Sequence, residues 1–311
     1  LSNLVLIFVC LLLGVCLKRT GRFPANTHTA LNAFVIFVSF PATVLLQITH
    51  LFSRTTVTWS ILLPATMGWL LFLGAWALIS MIGKRHQWSD ARTGALILTA
   101  GLGNTSFVGF PLLEALLGSE AVPWGVLVDQ LGSFFVLSTL GIVVASRYGR
   151  PRDGKARSIP RQVFTFPPFL ALLTALALSA VGFVFTGVAE TSLARLASTL
   201  VPLALFAVGF QLNLSPSTLR RYGKPLSLGL GYKLILAPSV LLGLYVFVLG
   251  QTDFVTRVTL LEAAMATMIT SAVVAAEFSL DEELANLMVG VSVPLSLLTV
   301  PAWNYLLGFV L

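Results

Sequence analysis

Long continuous apolar runs dominate this chain, and short polar stretches separate them. The runs fall at roughly 4–17, 31–49, 57–82, 93–117, 122–145, 163–186, 194–213, 225–249, 255–277 and 285–310. All but the first are near the length of about 20 residues that an α-helix needs to cross a bilayer. Apolar and polar residues do not alternate within them at period two, so the spans are helices and not the strands of a membrane barrel. The pattern predicts an all-α integral membrane protein with ten transmembrane helices. The first run resembles a signal-peptide core in length, but Lys18, Arg19 and Arg22 follow it where a small-residue cleavage site would stand. It is read as a retained helix.

Composition sharpens this picture. The chain is 57% hydrophobic and 10% charged, against about 25% charged in a soluble domain. Lipid must therefore cover most of its outer surface. The net charge of +7 does not point to nucleic acid, because the bases sit in short loops between spans. Lys18, Arg19 and Arg22 follow the first span, and Lys84, Arg85 and Arg92 the third. Arg147, Arg150, Arg152, Lys155, Arg157 and Arg161 follow the fifth, and Arg220, Arg221 and Lys224 the seventh. The opposite ends carry Arg54, Arg195 and Arg257. By the positive-inside rule the base-rich ends are cytoplasmic. The expected location is the plasma membrane, here a bacterial inner membrane, with both termini extracytoplasmic. The loop Asp281-Glu282-Glu283 then falls on the cytoplasmic side although it is acidic.

The long polar segment 147–162 splits the spans five and five. With an odd number per half, the second half enters with opposite orientation, which is the arithmetic of an inverted repeat. The expected organisation is a first five-helix repeat over 1–146, a basic cytoplasmic linker over 147–162 and a second, inverted repeat over 163–311. Prolines echo between the halves. Pro41 with the later Gln47 in span two matches Pro202 with the later Gln211 in span seven, and Pro64 matches Pro238. Proline is also common in membrane helices without any repeat. The linker serves as a topology determinant, and its bases suit anionic lipid.

Span four contains Gly101-Leu102-Gly103-Asn104-Thr105-Ser106-Phe107-Val108-Gly109-Phe110-Pro111 near its centre. Three glycines, a proline and three consecutive polar residues make poor continuous helix. One reading is a broken helix whose freed backbone groups face protein or a water-filled cavity. The half-helix after the break would aim its positive end at the midplane, where it can hold a carboxylate with help from Asn104. The other reading is a close-packed helix with small residues at its contact face. Both stay open on these residues alone. By the repeat, span nine is the partner, and its middle, Ala263-Ala264-Met265-Ala266-Thr267-Met268-Ile269-Thr270-Ser271, is small and polar but lacks glycine and proline.

At these positions the chain resembles the auxin efflux carrier family, which includes bacterial malate and malonate permeases and plant auxin carriers. The residues that carry the resemblance are Gly103 to Leu113, Pro202-Leu203-Ala204-Leu205-Phe206-Ala207-Val208-Gly209, Lys233-Leu234-Ile235-Leu236-Ala237-Pro238 and the run Glu262 to Glu283. The resemblance implies two inverted five-helix repeats, a scaffold bundle and a mobile bundle. It also implies that helices four and nine break and cross beside the substrate, with Asn104 at the position that contacts the substrate carboxylate. The implied substrate-binding set is Gly103, Asn104, Thr105 and Ser106, with Ala266, Thr267 and Met268 across from them and Pro41, Gln47 and Gln211 in spans two and seven. Two departures stand out. Gly103 replaces a family proline and is itself a helix breaker; Ala266 also replaces a family proline, and no breaker remains there.

Ionisable groups inside a membrane are functional candidates. Asp129 and Glu262 lie in the outer halves of spans five and nine, and each can carry a coupling proton or bond a neighbouring helix. Lys233, in the inner half of span eight, can snorkel to the surface or pair with an acid. Glu114 is expected at the outer interface. Cys10 and Cys16 are six residues apart, on different helix faces, and do not pair locally. His28, His50 and His86 have no metal-ligand spacing. There is no phosphate loop and no nucleophile elbow, so neither an enzyme nor a bound cofactor or metal is expected. The resulting expectation is a secondary transporter that moves small mono- or dicarboxylates by alternating access with H⁺. Alternatives are a Na⁺-coupled symporter and a membrane receptor that binds an organic anion without flux. A homodimer is compatible with the sequence.

Overall fold

The computed structural model describes residues 2–54, 62–151, 165–211 and 216–311. The described chain is helical throughout. Its elements are α1 (Ser2–Arg19), α2 (Thr27–Ser53), α3 (Leu62–Arg85), α4 (Asp90–Gly101), α5 (Thr105–Leu117), α6 (Ser119–Tyr148), α7 (Pro167–Ala180) and α8 (Gly187–Gln211). There follow α9 (Pro216–Arg221), α10 (Gly223–Val248), α11 (Phe254–Ala263), α12 (Ile269–Glu277) and α13 (Glu282–Leu307). Among the described residues six helices are long and apolar enough to cross a membrane: α2, α3, α6, α8, α10 and α13. α5 and α7 are shorter apolar helices. The predicted spans four and nine are each two helices, α4 with α5 and α11 with α12. α8 starts earlier than its apolar run because its first turns, Gly187–Ser198, are polar and bury no residue. The linker residues Arg152, Lys155, Arg157 and Arg161 lie outside the described residues.

The chain folds into two compact units, and each draws on both halves of the sequence. The first is Leu1–Ile61, Ser106–Val126 and Pro160–Leu212; the second is Leu62–Thr105, Leu127–Ile159 and Asn213–Leu311. In the first unit α1 packs along α8. A Cβ on Gly14 would strike the Phe206 carbonyl, and one on Gly209 would strike the Leu11 carbonyl. The two backbones therefore touch, as small residues allow in membrane helices. α2 packs on α7 and on the start of α8. The Ser39 and Thr199 hydroxyls meet at 2.7 Å, and the Phe40 and Phe110 rings meet edge to face at 5.4 Å.

In the second unit α3 packs on α6 through another glycine pair. A Cβ on Gly68 would lie 2.8 Å from the Gly132 carbonyl carbon. Trp69 donates its indole N–H to Leu131 O at 3.2 Å, and Tyr232 donates to Leu71 O at 2.6 Å. In α10, Pro238 has no N–H to offer the Leu234 carbonyl four residues back. The Trp303 indole of α13 donates to that carbonyl instead, at 2.9 Å. Outer faces in both units are apolar, as a lipid solvent requires; Phe37 is 66% exposed and Leu298 69%.

The acidic loop before α13 finds its bases at one end of the second unit. Asp281 caps α13 by accepting from the Leu284 N–H at 3.2 Å. It also pairs with Arg92 at 3.4 Å and accepts from the Tyr222 hydroxyl at 2.9 Å. Glu283 pairs with Arg221 at 3.0 Å and accepts from the same hydroxyl at 3.2 Å. The Arg92 and Arg221 guanidiniums each lie 5.3 Å from the Tyr222 ring centre. The loop thus shares an end with two of the bases that set the predicted topology.

Candidate substrate site at the crossing of two broken helices

α4 stops at Gly101, where Leu102 turns extended (φ −113°, ψ 128°). α11 stops at Ala263, and α12 starts after an extended Met268 (φ −64°, ψ 125°). The two breaks lie side by side in the second unit, with Gly103 and Thr267 paired as an antiparallel bridge. The Asn104 N–H donates to Ala266 O at 2.7 Å, and the Met268 N–H donates to Leu102 O at 3.0 Å. Each break satisfies backbone groups of the other, which hydrocarbon could not do. A helix needs no proline to break when its freed groups have such a partner, so span nine breaks with Ala266 in place.

The last carbonyls of α11 are also accounted for. Leu261 O accepts from Ala264 N at 3.1 Å and Glu262 O from Met265 N at 3.2 Å. Ala263 O accepts from the Lys233 ammonium at 3.1 Å. A cation at a helix C-terminus meets the negative end of its dipole. Gly103 leaves room for it: a Cβ there would lie 3.0 Å from Lys233 Nζ. Lys233 therefore neither snorkels nor forms an ion pair; it is wholly buried against backbone.

Two widened helical turns deliver the charged side chains. Asp129 and Gln130 lie on the π-helical turn Val128–Phe134 of α6, and Lys233 on Tyr232–Leu236 of α10. Such turns shift side-chain register within a helix and recur at functional sites. Asp129 accepts from the Thr105 hydroxyl at 2.5 Å and from the Gln130 amide at 2.6 Å. Glu262 differs. It is 0% exposed, and neither of its carboxyl oxygens meets a hydrogen-bond partner. The Thr267 hydroxyl and the Gln130 amide oxygen are buried and unpartnered as well.

Of the predicted site residues, Gly103, Asn104, Thr105, Asp129, Lys233, Glu262, Ala266, Thr267 and Met268 thus belong to one unit and to one crossing. Asn104 is 1% exposed. The sequence missed Ser292 of α13, whose hydroxyl accepts from the Thr267 N–H at 3.0 Å; a lone serine in an apolar span gives little signal. Ser106, Pro41, Gln47 and Gln211 belong to the first unit. Gln211 is engaged within its own helix, donating to Ala207 O at 3.3 Å. Gln47 lines a cavity of about 350 Å³ together with Thr43, Pro111, Glu114, Ser198 and Pro202. Glu114 is half-buried on this cavity wall.

Comparison with known proteins places the whole chain in a family. The sequence pattern of the membrane transport protein family covers residues 1–304. The chain belongs to this family. The resemblance to auxin efflux carriers drawn from Gly103 to Leu113 holds over the whole chain. An uncharacterized transporter of Methanocaldococcus jannaschii is 27% identical over 310 residues, covering 97% of each chain. An uncharacterized transporter of Methanothermobacter thermautotrophicus is 28% identical over 309 residues, covering 97% of this chain and 96% of its own. Family membership and the apolar helices make this a multi-pass membrane transporter.

Proposed function

We propose that the chain is a secondary transporter that carries small mono- or dicarboxylates by alternating access, with the substrate held at the crossing beside Asn104. The observation that carries this reading is the set of unpartnered buried polar groups there: the Glu262 carboxyl, the Thr267 hydroxyl and the Gln130 amide oxygen. Buried polar groups in native proteins as a rule have partners, and a cluster without them suits a site that binds or transfers something. α12 starts at the same crossing, and its positive end favours an anion.

Charge arithmetic supports H⁺ as the coupling ion. Asp129, Glu262 and Lys233 are the fully buried charged residues among those described. Asp129 is held by two donors, as suits an anion, and Lys233 balances it. Glu262 has no donor, and a bare carboxylate so deeply buried is costly, so it suits a proton carrier. With that proton on board the crossing is neutral and an incoming anion meets no excess negative charge. The inverted five-helix repeats over 1–146 and 163–311, the plasma-membrane location and the extracytoplasmic termini belong to the same reading.

The deciding experiment is a counterflow screen of small carboxylates in proteoliposomes, with and without a pH gradient. Saturable exchange of a carboxylate, accelerated by an inward proton gradient, is the expected result. Binding without any flux would replace the transporter by a receptor.

A further inference from the structure

Lys233 is the basic side chain that is fully buried among the described residues, and no carboxylate lies within ion-pair distance of it. Its ammonium instead donates to Ala263 O, the last carbonyl of α11, at 3.1 Å. It also fills the space beside Gly103, two residues past the end of α4. The negative C-terminus of α11 thus ends on the ammonium group, and the chain leaving α4 passes beside it. The carboxyl groups of Asp129 and Glu262 are buried in the same unit. Carbonyl and carboxylate oxygens are the ligands that hard metal cations use.

We infer that the Lys233 ammonium is the crossing's own cation, a tethered group standing where a free monovalent cation would otherwise sit. The chain consequently needs no Na⁺ to assemble the crossing or to move its substrate. Removing the lysine side chain leaves a site that takes a small free cation, of which a short primary alkylammonium is the closest match. This inference rests on reading the crossing as the substrate site.

Thermal unfolding of the purified protein in detergent tests it without any substrate. Lys233→Ala is expected to lower Tm by about 5 °C or more, since an uncompensated buried charge is left behind. Ethylammonium is expected to recover part of that loss in the variant and to leave the wild type unchanged. Tetramethylammonium, which has no N–H to give Ala263 O, is expected to recover nothing. An equal effect of ethylammonium on both proteins, or a variant as stable as the wild type, would overturn the inference. Should Lys233→Ala not fold, Lys233→Met combined with Asp129→Asn decides: recovery of folding supports charge balance, and no recovery overturns it. In proteoliposomes the wild-type flux is expected to be the same in Na⁺ and in choline, and a flux that requires Na⁺ would overturn the inference. A protein that moves no carboxylate under any condition refutes the transporter reading and leaves the thermal result standing.

Discussion

The backbone N–H of Asn104 donates to the carbonyl of Ala266 at 2.7 Å, tying the break of one membrane span to the break of another. Because this bond is made by backbone, the Asn104 side chain is separable from it. Asn104→Ala is expected to leave the backbone bridge, and with it membrane expression, in place. Carboxylate counterflow is expected to fall about 10- to 100-fold, the loss of one or two hydrogen bonds to a charged ligand. Undiminished flux would remove Asn104 from the site.

Neither bridge bond uses the Ala266 N–H, so proline at that position leaves both bonds in place. Ala266→Pro is expected to keep Tm at or slightly above wild type, since proline restricts the unfolded chain. Asn104→Pro deletes a bridge donor and is expected to cost about 1–3 kcal/mol, visible as a lower Tm. Equal behaviour of the two variants would show that the bridge does not hold the breaks together.

The two buried acids are expected to separate in function. Glu262→Gln should abolish acceleration by a pH gradient while substrate exchange at equal pH persists. Asp129→Asn, which disturbs the acceptor of both Thr105 and Gln130, should reduce exchange at every pH. Flux measured with and without a gradient distinguishes them, and a gradient response that survives Glu262→Gln would move the proton elsewhere.

Outside the membrane spans, Tyr222 sets a pH limit. Burial first, and then the hydrogen bond and charge of Asp281, push its hydroxyl up from 10 to about 12. Its folded-state value lies above the unfolded one, so its contribution is full below about pH 10 and is lost as pH rises toward 12. Tm is expected to fall over that window in the wild type. In Tyr222→Phe the fall should be smaller, from a starting Tm lowered by the loss of two hydrogen bonds to carboxylates. Parallel curves for the two proteins would contradict the assignment.

Much of this was legible in the sequence, for reasons that differ by residue. The long spans followed from apolar runs, and Gly101, Gly103 and Pro111 raised a break in span four as one of two readings, because their backbone preferences are local. The break in span nine is not local. Nothing in Ala263 to Met268 forbids helix, and its ends are satisfied by Leu102 and Asn104, which no pattern within the span can reveal. Lys233 was readable as a buried base, but its partner is a main-chain carbonyl, and carbonyls have no sequence signature. The acidic loop Asp281–Glu283 looked out of place by charge alone. Its geometry, with Arg92 and Arg221 each 5.3 Å from the Tyr222 ring centre, supplies the explanation.

The bridge between Leu102–Asn104 and Ala266–Met268 also has a consequence for biogenesis. A ribosome delivers the first half of this pair long before the second. Until Ala266 emerges, the Asn104 N–H lacks its acceptor, and a lipid interior offers no other. The fourth span of the nascent chain is therefore expected to insert less well on its own than with the ninth present. A chain truncated before Ala266 should leave that span exposed to proteases and quality-control factors, which makes the crossing a checkpoint of assembly as well as a place for substrate.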